Sequence, residues 1–302
     1  MDRIANGPWN TVVMEWLNGL LKVSLALFMV GNLLDMGLRL RVDAAWRDIQ
    51  DVRFSLAALA WGFVILPALA YGIARVVPMA PPFAMGLVLL GLTPCAPFLP
   101  PMVDRAKGDI AYTAAFMLLV SVVTIAYMPF AVPMLVHGLQ ADAWTIAKPL
   151  VILLLVPLVV GIMVQKRWPT QAERLHPIVK KATSIDTLLM LVLCVAVYGK
   201  GFLDLIGSYA IGSQLLFFSA ATVLPFLISF GLPRSQRTVL SLGMATRNLG
   251  AAFAPLFAVP GVDQRAVVMV AMGVLMQATF SFVAATYYGR QPVAPGSRPE
   301  SP

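Results

Sequence analysis

Nine apolar stretches, approximately residues 15–38, 54–77, 82–103, 110–136, 144–165, 183–203, 211–232, 238–259 and 264–288, take up most of this chain. An α-helix needs roughly 20 mostly apolar residues to cross a bilayer, and each stretch meets that length. Too little sequence lies between them to form a soluble domain. The expectation is one all-α polytopic membrane domain over residues 1–302 with nine transmembrane helices. Composition agrees, because only 12% of the residues are charged, against about a quarter in soluble domains.

The charge distribution sets an orientation. Fifteen Lys and Arg residues, from Arg39 and Arg41 through Lys180 and Lys181 to Arg298, fall in one set of alternate loops. Five (Arg3, Arg75, Lys148, Lys200 and Arg265) fall on the other side. Basic loops stay in the cytoplasm, so the N-terminus is expected outside and the C-terminus inside a plasma (inner) membrane. No basic run is interleaved with stacking aromatics, so the net charge of +8 predicts no nucleic-acid partner. The opening MDRIANGPWN lacks the pattern of a cleaved signal peptide. The Pro/Gly/Ser-rich end, 290–302, reads as a disordered cytoplasmic tail. Two cysteines make no disulfide framework, and His137 and His176 have no metal-ligand spacing. With no phosphate-binding GxxxxGK[ST] and no paired catalytic residues within spans, the chain is expected to be neither an enzyme nor an ATP-driven pump. No cofactor is expected beyond a coupling ion, sodium or proton, and the oligomeric state stays open.

Two spans break their own backbone. The third carries Pro94, Pro97, Pro100 and Pro101, and the eighth carries Gly243, Gly250, Pro255 and the polar run Ala245-Thr246-Arg247-Asn248. Proline removes an amide donor, and a freed carbonyl in hydrocarbon is tolerated where it lines a cavity. Paired interrupted segments, one in each half, are the sequence pointer to a transporter's binding site. Their places fit an inverted repeat that lacks one leading helix; the alternative is a pair of kinked packing helices.

Chemistry converges on the same segments. Arg247 is an arginine in mid-span, which requires a cavity or a partner. Its guanidinium suits a carboxylate or phosphate; otherwise it pairs internally with Asp35 or Asp186. Thr93, Ser241, Thr246 and Asn248 bring hydrogen-bonding groups beside the breaks. Asp35 and Asn32, near the inner end of the first span, are candidates for coupling, Asp35 as a proton relay. Asp35 also lies close enough to neutralise Arg39.

Several of these stretches resemble the bile acid:sodium symporter superfamily. Gly91-Leu92-Thr93-Pro94-Cys95 with Arg105-Ala106-Lys107-Gly108-Asp109 resembles its first crossing region. Met36-Gly37-Leu38-Arg39-Leu40 resembles an early helix end, and Gly243-Met244 with a following Asn resembles the second crossing region. Gln277, Thr279 and 284-AATYYG-289 resemble the last helix. The resemblance implies an inverted-repeat fold with two unwound crossing helices. It implies a panel of about 15–38 and 144–203 and a core of about 54–136 and 211–288. It also implies a secondary transporter for a small organic anion, with Arg247, Asn248, Thr246, Ser241, Thr93, Cys95 and Gln277 as candidate substrate-binding residues.

The chain departs from the family at the positions that hold sodium. Leu99 and Pro100 stand where sodium-coupled members have Ser and Asn, and Ser241 and Ala245 stand at Glu and Gln positions. Sodium coupling is therefore doubtful. Cys95 also resembles the cysteine of arsenite efflux permeases, relatives in the superfamily, so metalloid efflux is an alternative. A non-transporting receptor or scaffold is another.

Overall fold

The computed structural model describes residues 8–136, 139 and 142–291. Helices account for the regular structure in this range. In chain order they are α1 (Pro8–Arg39), α2 (Val42–Ile49), α3 (Val52–Ala60), α4 (Leu66–Val76), α5 (Pro81–Gly91), α6 (Leu99–Arg105) and α7 (Ile110–Leu135). The second half holds α8 (Ala143–Leu150), α9 (Val156–Arg167), α10 (Pro169–Leu203), α11 (Ala210–Leu227), α12 (Arg234–Ala245), α13 (Leu249–Ala258) and α14 (Gln264–Arg290).

Among the described residues, seven helical segments are long and apolar enough to cross a membrane. They are α1, α3 with α4, α7, α8 with α9, α10, α11 and α14. Two of these contain a wide π-helical turn, Trp61–Ile65 and Val151–Leu155, each followed by a proline, Pro67 or Pro157. The widened turn absorbs the donor that proline lacks. The third and eighth predicted spans differ from the rest, because each consists of two shorter helices, α5 with α6 and α12 with α13. Large apolar side chains such as Leu27, Val64, Phe130, Val160, Val195 and Phe282 stand exposed on the outside of the bundle. Water would penalise so apolar a surface, whereas acyl chains match it. The chain is a multi-pass membrane protein.

Two local features were not expected from sequence. The amphipathic stretch Val42–Ile49 forms its own helix, α2. More consequentially, α10 begins at Pro169 rather than near 183. Its first residues, PTQAERLHPIVKKA, are too polar to read as membrane, but Pro at the first helical position starts a helix well. The extension carries His176 and Lys180 alongside α1. His137 and residues 292–302, including most of the expected tail, lie outside the described residues.

α1 packs along α9 and α10. At the α1–α9 seam, a Cβ on Gly37 would meet the Leu158 carbonyl at 2.5 Å, and one on Gly161 would meet the Leu34 carbonyl at 2.7 Å. Glycine at both positions lets the two backbones touch, as small residues do between membrane helices. The α1–α10 seam includes a polar tie, with Ser24 donating to Asp186 at 2.7 Å. Asp51 caps α3 at the Phe54 amide and accepts from Tyr112 of α7 and Gln236 of α12. Burial pushes its carboxyl up, but these hydrogen bonds outweigh burial and hold it below the ordinary carboxylate value.

Candidate functional site

The interruption between α5 and α6, residues 92–98, follows directly from its prolines. Pro94 and Pro97 lie inside it and have no amide to offer a helix. Pro100 and Pro101 lie in the first turn of α6, where amides have no intrahelical partner anyway. Cys95 adopts a left-handed backbone conformation, φ 72°, which turns the chain sharply at this point.

The interruption between α12 and α13, residues 246–248, contains no proline. It is held against the first break instead. The Cys95 amide donates to the Thr246 carbonyl at 2.9 Å, and the Asn248 amide donates to the Thr93 carbonyl at 2.8 Å. Pro94 and Arg247 thus face each other as an isolated antiparallel bridge. Thr246 Oγ1 accepts from the Ala96 amide at 3.1 Å, and Gln277 Oε1 of α14 accepts from the Arg247 amide at 2.6 Å. Asn248 Oδ1 caps α13 by accepting from the Ala251 amide at 3.1 Å. The amides of Cys95, Ala96, Arg247 and Asn248 are therefore satisfied across the junction by backbone and side-chain oxygens, as burial in an apolar interior demands.

A cavity of about 290 Å³ lies beside this junction. Its wall includes Ala96, Pro97 and Phe98 from the first break, Arg247 and Asn248 from the second, Asn32, Asp35 and Arg39 from α1, Lys180 and Thr187 from α10, and Gln277 from α14. Three cationic residues on the wall (Arg39, Lys180 and Arg247) face one carboxylate, Asp35.

The residues singled out from sequence divide into two groups. Arg247, Asn248, Gln277, Asn32 and Asp35 border the cavity. Thr93, Cys95, Thr246 and Ser241 are buried and do not line it. Thr93 donates back into α5, to the Leu89 carbonyl. Ser241 donates to the Thr222 carbonyl of α11 at 2.6 Å, which makes Tyr288 of α14 the donor in their 2.8 Å contact. Cys95 Sγ lies 3.7 Å from the Ala96 carbonyl. Among the described residues no cluster of three His, Cys, Asp or Glu side chains stands ready for a metal.

Arg247 has an unusual environment. Its side chain is fully buried, and among the described residues it forms no salt bridge and its Nε and Nη1 have no hydrogen-bond partner. Nη2 donates to the Met244 carbonyl, and the guanidinium lies over the Phe217 ring of α11, 4.9 Å from its centroid. The internal pairing considered from sequence is not formed. Asp35 holds Arg39 at 2.9 Å and lies 3.2 Å from His176, while Asp186 belongs to Ser24. Sequence reasoning missed the places of His176 and Lys180 because their stretch reads as a loop, whereas the pairing of Asp35 with Arg39 that it considered is formed.

A model of the Sodium Bile acid symporter family matches residues 25–205. The chain belongs to that family. As a family member it is a homologue of membrane transporters, in line with its multi-pass fold. The matched range takes in the second half of α1, the first break and all of α10, and it ends before α12 and Arg247. A Bacillus subtilis (strain 168) protein named "Uncharacterized sodium-dependent transporter YocS" is 24% identical over 261 residues, covering 81% of this chain and 78% of that protein.

Proposed function

We propose that this family member is a secondary active transporter that moves a small organic anion by alternating access, with the 290 Å³ cavity as its substrate site. The observation that carries this reading is the chemistry left facing the cavity. Asn248 and Gln277 each accept a backbone amide through the side-chain oxygen. That leaves their NH₂ groups, which are donors, for a ligand. Arg39 and Lys180 add charged donors, and Arg247, on the same wall, adds the positive charge of a buried guanidinium. Donors and cations suit a carboxylate. The volume is at the small end of the range for ligand pockets, about 300–1,000 Å³, which favours a compact anion over a steroid.

The same chemistry disfavours sodium. A hard cation needs several oxygens, yet the two amide oxygens at the breaks are engaged, and Leu99 and Pro100 supply no side-chain oxygen. Arg247 then acts as a permanent cation at the junction, and transport proceeds without sodium. In this scheme the two broken segments complete nine passes in an inverted repeat. The core of about 54–136 and 211–288 rocks against a panel of about 15–38 and 144–203, and the chain sits in the plasma membrane with its N-terminus outside and its C-terminus in the cytoplasm. The metalloid alternative gains no support, because Cys95 does not border the cavity.

Purified protein in liposomes tests the proposal, with uptake of lactate, 2-oxoglutarate and cholate followed by mass spectrometry in sodium or choline medium. Lactate or 2-oxoglutarate should accumulate above protein-free liposomes in both media. No accumulation of any of the three overturns the anion assignment. Uptake that disappears in choline overturns sodium independence alone.

A further inference from the structure

At one edge of the cavity, Arg39 and His176 share the Asp35 carboxylate, and Arg39 also holds a carbonyl of the first break. Asp35 Oδ2 of α1 pairs with Arg39 Nη2 at 2.9 Å. The same Nη2 donates to the Pro97 carbonyl of the first break at 3.1 Å. Asp35 Oδ1 lies 3.2 Å from His176 Nε2 of α10, yet the alignment is too poor for a hydrogen bond, and both atoms are buried without any other partner. Distance says these two atoms interact, while angle says they do not bond. A neutral imidazole so placed gives Asp35 little, whereas an imidazolium would be attracted whatever its orientation, because attraction between two charges does not need hydrogen-bond alignment.

From this geometry we infer that Asp35 and His176 form a proton site coupled to the anion cavity. A proton from solution adds to the imidazole of His176, whose side chain is a quarter exposed. The resulting imidazolium draws Asp35 Oδ1 toward itself and loosens the hold of Oδ2 on Arg39. The Arg39 charge is then available to an anion in the cavity, where Arg39 already forms part of the wall. The inference rests on the anion reading given above and supplies its coupling ion. The other charges acting on the ring are Arg39 from α1 and Lys180 from α10 itself. The remaining helices packed on α10, α9 and α14, bring no ion pair to His176 among the described residues. Burial of the ring and both of those cations oppose the imidazolium, and Asp35 is the group that favours it. Linkage then requires that an anion raise the proton affinity of His176 by the same factor that the proton raises anion affinity.

The chain has two histidines, so His137→Gln leaves His176 as the only ring to observe. Histidine-selective ¹⁵N NMR of that protein between pH 5 and 9 needs no ligand. Asp35→Asn should lower the His176 midpoint by about 1 unit or more, the usual effect of an adjacent opposite charge. Arg39→Gln should raise it, which gives a second reading if Asp35→Asn fails to fold. A ring that stays neutral down to pH 5, or a midpoint unmoved by either variant, overturns the proton site. Calorimetric binding of 2-oxoglutarate should be about tenfold tighter at pH 5.5 than at pH 8, in the range of ordinary coupling, and pH-independent in His176→Gln. Binding that is equally strong at both pH values overturns the coupling. Absence of binding at either pH counts against the anion reading, and the ligand-free midpoints still decide the proton site.

Discussion

The two breaks meet at one bridge, yet they are made by opposite means. The first is written into covalent structure, because Pro94 and Pro97 remove the donors that a continuous helix would need. The second keeps every amide and is held open from outside. The Arg247 amide is taken by Gln277 and the Asn248 amide by Thr93. A proline-made break persists whatever surrounds it, whereas a partner-made break lasts only while its partners stay in place. The first therefore acts as the fixed template, and the second is the place where charge, capping and partners from α14 are gathered. This asymmetry gives the second break greater sensitivity to single substitutions.

The largest effect should follow loss of the Arg247 charge. At about 7 Å and an effective dielectric near 20, a cation attracts an anion by about 2 kcal/mol, or about 30-fold in affinity. Arg247→Ala should therefore reduce liposome uptake to near background, with Arg247→Lys intermediate. Wild-type uptake in Arg247→Ala would make the residue dispensable and remove the functional side of the contrast. Next comes Gln277→Ala, which leaves the buried Arg247 amide unpaired at a cost of about 1–3 kcal/mol. Thermal melting of the purified protein should fall accordingly, and Gln277→Glu, which keeps an acceptor, should recover most of it. A smaller loss is expected for Pro97→Ala, about 0.4–1 kcal/mol from added freedom in the unfolded chain. If Pro97→Ala melts lower than Gln277→Ala, the ranking of the two breaks is reversed. Smallest of all, Cys95→Ala should leave anion uptake within about twofold, as for an inert buried thiol.

The same contrast explains what could be read from the chain. Prolines announce the first break, and apolar runs announce the spans, since both signals are local. Arg247 announced the second break because a charge in an apolar run is conspicuous. The role of its neighbours was hidden. Thr246, Asn248 and Gln277 looked like ligand-orienting groups, and nothing in sequence shows that their oxygens go to backbone amides across the junction. His176 was invisible for a different reason. Its stretch is polar enough to read as a loop, and only the continuous helix α10 brings it to Asp35.

The central claim is that an anion occupies the hollow between the breaks and the α1–α10 face. Single cysteines at Phe98 and Thr187, introduced with Cys95→Ala and Cys194→Ala, test it from both walls. The rate of labelling by an anionic, water-soluble methanethiosulfonate is measured with and without saturating 2-oxoglutarate. Slower labelling at both positions in the presence of the anion is the predicted result. Unchanged rates at both, with an anion that the protein demonstrably transports, would place the substrate elsewhere and contradict the account.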